Sequence, residues 1–492
     1  MVQVSTRADD LLAEVGVGTL RVERLIALLD PAGADQARTA ATRARRLLAG
    51  RRIWNVNSTA RGGGVAEMLT TLLAYARGAG VDARWLVIDA DEEFFHVTKR
   101  LHNRLHGVEG DGGPLGDAER AAYEATLSRN ADALLQRVAP GDVAILHDPQ
   151  TAGLIPALRA SGIPVVWRCH VGIDQPNALA REAWKFLAPY TELADAVVFS
   201  RPQFAWDVVD PARRSIIAPS IDALAPKNQP LTPEVTGAIL AAAGLRTPAP
   251  GAGRPEFERL DGSPGVVGAQ ARVDEDRPLA PGDRYVLQVS RWDRLKDPTG
   301  VIQGFADHIA PHSDAHLVYA GPAVEAVADD PEGALVLEHA QAQRAELAPG
   351  ARERVHLAML PMDDLEENAA IVNALQREAA VVIQKSVAEG FGLTVAEGMW
   401  KARPVVASQI GGIADQIVDG VTGVLLPDPS DLAAYGAAVV GLLDDPGRAA
   451  AIGLAARESV REHFLGTHSL VEYFALLERL LAPATADALK TT

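Results

Sequence analysis

Residues 381–404 read VVIQKSVAEGFGLTVAEGMWKARP, and this stretch organises the reading of the whole chain. Val381, Val382 and Ile383 form a short β-branched run, the pattern of a strand buried on both faces of a parallel sheet. Gly390-Phe391-Gly392 supplies a sharp turn. From Leu393 to Lys401 the spacing is helical, with Leu393, Ala396 and Trp400 on one side. A helix that opens straight after a strand and a glycine turn presents unpaired N–H groups and a positive dipole end, which suits a phosphate. Glu389 precedes the turn and Glu397 follows it by one helical turn. An E-x7-E spacing puts a carboxylate on each side of an anion seat, and a sugar nucleotide carries hydroxyls on both sides of its diphosphate. The plainer alternative is two surface glutamates around an ordinary turn.

Outward from this element the chain alternates strands, glycine turns and helices. Residues 53–57 read as a strand, residues 58–64 as a loop ending in Gly62-Gly63-Gly64, and residues 65–76 as a helix. That loop matches neither the dinucleotide fingerprint nor the P-loop. Further strands are expected at 85–89, 143–146, 165–170, 197–200 and 216–220. A second series is expected at 285–290, 317–321, 354–357, 381–383 and 404–407. Alternation of this kind implies doubly wound parallel sheets, hence an α/β fold. Residues 8–50 read as amphipathic helix, and Arg43, Arg45, Arg46, Arg51 and Arg52, within and just after it, form a basic cluster that is a solvated face or a membrane-docking patch. Residues 246–283 contain six prolines and six glycines and read as a loop or mobile linker. Residues 470–482 read as a terminal helix.

Bulk numbers narrow the partners. A chain of 492 residues needs two or three cores. With 47 Lys+Arg against 64 Asp+Glu, the net charge of −17 argues against nucleic acid or an anionic membrane as the main partner. The single cysteine, Cys169, excludes an internal disulfide and fits a reducing cytoplasm. The opening MVQVSTRADD lacks the apolar core of a signal peptide, and no run reaches the ~18 apolar residues of a membrane span. A cytoplasmic location is therefore expected. His96, His102 and His106 lie near one another without acidic or cysteine partners at ligand spacing, and Asp329-Asp330 and Asp363-Asp364 read as solvated turns, so no metal site is expected.

Ligands of open α/β sheets gather beyond the carboxyl ends of the strands. Asp148, Gln150 and His170 fall there in the first half of the chain. Arg291 and Lys296 follow the 285–290 strand in the second. Two cations at a strand end are costly to bury unpaired, and a diphosphate would satisfy them. Ion pairs with Asp293 or Asp297 would satisfy them equally.

These pieces together resemble family 4 of the retaining glycosyltransferases, and within it the trehalose glycosyltransferring synthases. The general match is Ser290-Arg291 with Lys296, Glu389-Gly390-Phe391-Gly392-Leu393 with Glu397, and Gly411-Gly412. The closer likeness rests on NSTARGGGVAEML (57–69), FFHVTKRLHN (94–103), LHDPQTAGLI (146–155), WRCH (167–170) and PSIDALAPKN (219–228). It continues in QVSRWDRLKDPTGVI (288–302), DDPEG (329–333), VNALQR (372–377) and VIQKSVAEGFGLTVAEGMWKARPVVA (382–407). Fungal-type trehalose phosphorylases share some of these phrases. The chain departs from the pattern at Asp293-Arg294-Leu295-Lys296, at Val171-Gly172-Ile173-Asp174, and in residues 246–283, which look like an insertion.

The resemblance implies two Rossmann-like domains facing across a cleft, the GT-B architecture. It divides the chain into an acceptor-side domain, 1–222, a nucleotide-sugar domain, 223–465, and a terminal helix, 466–492, packing back on the first. It implies a retaining transfer of glucose from a nucleoside-diphosphate glucose to glucose, forming trehalose. A phosphorylase, or a transferase to glycerate or a polyol, is the alternative. No metal or other cofactor is required, because Arg291 and Lys296 would neutralise the diphosphate. Gly63 and Gly64 would approach that diphosphate, and the backbone at Gly392, Leu393 and Thr394 would bind phosphate. Glu397 would hold the ribose and Glu389 the donor sugar. His170 would stand near the reacting centre, with Lys99, Asn103, Asp148 and Gln150 as acceptor contacts. A homodimer is allowed by the sequence and not required by it.

Overall fold

A computed structural model describes residues 4–5, 11–60, 64–207, 209–251, 253–324 and 332–482. The chain divides into two compact units: Met1–Ser220 with Gly466–Thr492, and Ile221–Leu465.

The first unit is built on eight strands: β1 (Val4–Ser5), β2 (Leu12–Val15), β3 (Arg52–Asn57), β4 (Asp82–Ile88), β5 (Val143–His147), β6 (Val165–Cys169), β7 (Ala196–Phe199) and β8 (Arg214–Ile216). Their spatial order is β1-β2-β4-β3-β5-β6-β7-β8. From β4 across to β8 the pairs are parallel. The chain moves from β3 to β4 on one side and then crosses to β5 on the other, so the strand order reverses between β3 and β5. Trp54, Val56, Leu146, Trp167 and Phe199 lie in one buried cluster that helices cover, as a parallel sheet requires. The helix Gly466–Leu481 packs on helix Pro31–Leu47 and so belongs to this unit.

The second unit has β9 (Glu256–Glu258), β10 (Pro264–Val266), β11 (Arg272–Asp274), β12 (Tyr285–Val289), β13 (His316–Pro322), β14 (Val355–Leu360), β15 (Val381–Gln384), β16 (Val405–Ser408) and β17 (Val424–Leu426). Its main sheet runs β11-β14-β13-β12-β15-β16-β17. All its pairs are parallel except β11 with β14. Here the reversal falls between β12 and β15, whose Leu287 and Val382 are register partners. Segments far apart in sequence therefore leave adjacent strands at the same end of the sheet.

Three expectations are corrected. Residues 8–50 are not helical throughout: Leu12–Val15 is a strand, antiparallel to β4, with Leu12 and Val15 buried. Four residues are too few for a period to separate strand from helix. The last strand of the first sheet is Arg214–Ile216, earlier than 216–220, because Pro219 has no N–H to offer a ladder. Residues 246–283 are a folded appendage. β9 and β10 form a hairpin, and β11 extends the main sheet. Arg259 pairs with Asp364 at 2.7 Å, and Ala269 N donates to Glu367 Oε1 at 2.6 Å. Glu275 meets His356 Nδ1 at 2.6 Å, and Arg344 Nη2 binds Asp276 at 2.8 Å. The prolines and glycines punctuate three-residue strands that leave no readable period. Asp364 likewise serves as a helix N-cap, taking Glu366 N and Glu367 N. Asp329 and Asp330 lie outside the described residues.

Candidate active site

The second unit concentrates its charged groups where its strand order reverses. Beyond β15 the chain reaches Gly392, whose φ of 84° and ψ of 63° suit glycine. The helix Leu393–Trp400 then begins with no side-chain cap. Among the described residues, the N–H groups of Leu393 and Thr394 have no acceptor. Two orphan donors at a helix start form an anion seat. Behind the turn, Gly412 N donates to Gly390 O at 2.9 Å, and Gln416 Nε2 to Phe391 O at 2.6 Å.

Lys296 arrives from the neighbouring strand. Its Nζ donates to Glu389 Oε2 at 2.6 Å, and neither side chain is more than 16% exposed. The expected alternative partner, Asp297, pairs instead with Lys385. Arg291 is 41% exposed and only 3.6 Å from Asp293, so it is not a buried cation at all. The expected cost of burying two cations therefore applies to Lys296 alone. Glu397 is 1% exposed, facing Lys227 at 3.5 Å and taking a hydrogen bond from Gln376 Nε2 at 3.1 Å. Burial at that level demands such partners.

Sequence reasoning missed the groups that hold this arrangement. Gln288 Nε2 donates to Lys296 O at 2.8 Å, while Gln288 Oε1 accepts from Lys385 N at 3.1 Å. Gln384 Oε1 accepts from Thr394 Oγ1 at 2.8 Å, and its amide reaches Ser290 Oγ at 3.2 Å and Ser386 Oγ at 2.9 Å. Both glutamines are buried. The signal was a lone amide near the end of an otherwise apolar strand, YVLQV and VVIQ. Lys227 lay within the PSIDALAPKN phrase.

In the first unit, Asn57 at the end of β3 donates to Thr59 O at 2.7 Å and accepts from Trp85 Nε1 at 2.8 Å, fixing the start of the glycine loop. Gly63 lies outside the described residues, and Gly64 is the first residue of helix Gly64–Gly78. Asp148 has a φ of 63° and accepts His170 N on Oδ1 at 2.7 Å. The His170 ring lies 3.1 Å from His147 and takes Arg168 Nε on Nδ1 at 3.3 Å. Both ring nitrogens are thus engaged inside the unit. Gln150 sits partly buried on the turn Pro149–Leu154. Lys99 and Asn103 lie one turn apart on helix Glu92–Leu105, which packs on that turn. No hydrogen bond among the described residues joins Lys99 or Asn103 to Asp148, Gln150 or His170.

Burial raises the Asp148 carboxyl to about 7. The folded chain therefore keeps a proton that the unfolded chain releases, and this group's contribution to stability falls as pH rises from about 4 to about 7. An asparagine at this position cannot ionise, keeps an oxygen for His170 N, and tolerates a positive φ. The melting temperature of Asp148→Asn relative to the parent is expected to climb between about pH 5 and pH 8. A difference independent of pH would contradict this ionisation.

Two doubly wound, mainly parallel sheets, the second with charged groups gathered at its reversal, form the GT-B fold of glycosyltransferases. Residues 55–206 match the family described as trehalose synthase, N-terminal domain, and residues 270–459 match glycosyl transferases group 1. The chain is 36% identical over 438 residues to a trehalose synthase of Rubrobacter xylanophilus, covering 88% of this chain and 92% of that one. It belongs to the trehalose synthase family of glycosyltransferases. It is also 27% identical over 397 residues to a trehalose phosphorylase of Pleurotus sajor-caju, covering 75% of this chain and 50% of that one. An α,α-trehalose-phosphate synthase (UDP-forming) from Burkholderia xenovorans, solved with glucose-6-phosphate, has a TM-score of 0.62 at 15% identity, covering 88% and 100% of the two chains. That likeness concerns the fold alone.

Proposed function

We propose that the protein is a retaining hexosyltransferase that moves glucose from a nucleoside-diphosphate glucose to glucose, forming trehalose reversibly through an α,α-1,1 link. The observation that carries this reading is the pair of orphan N–H groups at Leu393 and Thr394 beside the Lys296–Glu389 pair. A diphosphate at the helix start takes both N–H groups and shares Lys296, while Arg291 adds a second, more exposed cation. Glu389 then serves the hydroxyls of the donor sugar, and Glu397 those of the ribose. The bond from C1 to the phosphate oxygen stretches, giving an oxocarbenium-like transition state. Fixed cations and N–H donors absorb the charge of the leaving diphosphate. The acceptor hydroxyl adds to C1 from the same face, and its proton passes to the departing phosphate oxygen. The α configuration is kept without a covalent enzyme intermediate, unlike the retaining glycosidases. No metal is required in this scheme. Among the described residues no helix is long and apolar enough to cross a membrane, which is compatible with a cytoplasmic enzyme.

The test offers several nucleoside-diphosphate glucoses, one at a time, with glucose, glycerate or a polyol. The expected result is a non-reducing α,α-linked disaccharide from glucose, with one nucleoside diphosphate released per bond made. Cleavage of trehalose by inorganic phosphate without any nucleotide would identify a phosphorylase instead. A glycerate or polyol product, with glucose inert, would move the acceptor assignment.

A further inference from the structure

Arg168 is 1% exposed, and among the described residues no carboxylate forms an ion pair with it. Its three nitrogens are spent on neutral acceptors. Nη1 donates to Tyr473 Oη at 2.6 Å, Nη2 to Ile217 O at 3.0 Å, and Nε to His170 Nδ1 at 3.3 Å. Tyr473 lies 305 positions away, on the helix Gly466–Leu481, and its ring also faces the guanidinium at 5.5 Å. A guanidinium carries only donors, so the nitrogen it meets must offer a lone pair. The His170 proton is therefore on Nε2, which points at His147 Nδ1, 3.1 Å away. His147 Nδ1 accepts, and its own proton, on Nε2, faces Asn55 Oδ1 at 3.2 Å. The Asn55 amide nitrogen then points to Arg84 O at 3.5 Å. From Arg168 Nε through His170 and His147 to Asn55, each donor has one permitted direction.

We propose that Arg168, anchored by Tyr473, is a positioning residue that locks His170 in the neutral tautomer with its proton on Nε2. The inference rests on the reading of His170 as a neighbour of the reacting centre. A second proton on His170 would have to occupy Nδ1, directly against the guanidinium. The ring thus stays uncharged, and on that reading a second cation would oppose the positive charge that develops in the transition state. The titratable groups around the pair are Arg168, Asp148, Cys169 and Tyr473. Burial and Arg168 press both histidines down, His147 to about 3. Burial holds the Cys169 thiol and the Tyr473 hydroxyl up, so both stay neutral.

The experiment records long-range ¹⁵N–¹H spectra of the full chain labelled at histidine, with His170 assigned by its loss in His170→Gln. Transfer rates are followed against pH in parallel. The parent should show His170 protonated on Nε2 alone between about pH 5.5 and 8. In Arg168→Met the two tautomers should mix, the ring should take up its second proton at a higher pH than in the parent while burial still holds it below the ordinary histidine value, and kcat should fall about tenfold. The donor KM should change by less than about twofold, as expected when orientation rather than binding is lost. Arg168→Lys, still only a donor, should restore the single tautomer. Should Arg168→Met fail to fold, Tyr473→Phe decides: a smaller shift in the same direction supports the relay, and an unchanged tautomer and pH profile overturns it. A parent with its proton on Nδ1 overturns it outright. The spectra need no turnover, so failure of the tautomer lock and failure of the transfer reaction are read separately.

Discussion

Alanine at Lys296 or at Arg291 lowers kcat/KM for the nucleotide sugar by about 10²-fold or more each. Lys296 is held from three sides. Gln288 grips its carbonyl, Glu389 its ammonium, and the Asp297–Lys385 pair anchors the turn Arg294–Lys296 that carries it. A cation so fixed needs no reorganisation when charge appears on the leaving oxygen, which is where such groups act most strongly. Its removal also strands Glu389, whose side chain is only 15% exposed. Lys296→Ala should therefore lower thermal stability slightly as well, whereas the exposed Arg291 should affect rate alone. Steady-state rates against donor concentration, with melting curves on the same preparations, check both. A loss of less than about threefold at either position, in a folded variant, removes that residue from the charge-stabilising role.

The second large effect is expected at a residue with no chemistry of its own. Gly411 has a φ of 46°, and a Cβ there would lie 1.9 Å from the Glu389 carbonyl oxygen. At Gly412 the same atom would lie 2.7 Å from Phe391 Cα. Neither obstacle is a flexible side-chain tip, so the 389–392 turn itself must move. Displacement of about 1 Å at a phosphate seat costs on the order of 10²-fold in rate. Gly411→Ala should show that loss in kcat/KM with the circular dichroism of the parent. Gly441 is the control: it lies inside helix Leu432–Asp444 with no atom within 4 Å of its missing Cβ. Gly441→Ala should keep full activity and gain about 0.5–1 kcal/mol in stability. Equal activity in the two variants would mean that the glycine pair does not buttress the turn.

What could be read from the chain alone follows from how each element is stabilised. The strands buried on both faces, such as Val381–Gln384 and Val143–His147, announce themselves as β-branched and apolar runs. Glycine turns mark where those strands end, whereas the meeting of the Arg291–Lys296 segment with the 389–397 segment was implied by the family resemblance and rests on the adjacency of β12 and β15. The short strands Leu12–Val15 and Arg272–Asp274 were hidden, since they gain their stability from pairing with β4 and β14 rather than from any local pattern. The partners of buried charge were hidden for the same reason. Lys227 reaches Glu397 from far upstream, and Tyr473 reaches Arg168 from 305 positions downstream. His170 was legible as a strand-end histidine. That both its nitrogens are engaged by neighbours was not, because one of those neighbours, His147, stands on the adjacent strand.

The central claim is that the helix start at Leu393 seats the donor's diphosphate together with Lys296. A crystal structure of the full chain with a bound nucleoside diphosphate tests it most directly. The phosphate oxygens should lie within hydrogen-bonding distance of the N–H groups of Leu393 and Thr394, with Lys296 Nζ turned to share its charge between phosphate and Glu389. A nucleotide bound elsewhere, with Lys296 still held by Glu389 alone in an enzyme that turns over, would contradict the account.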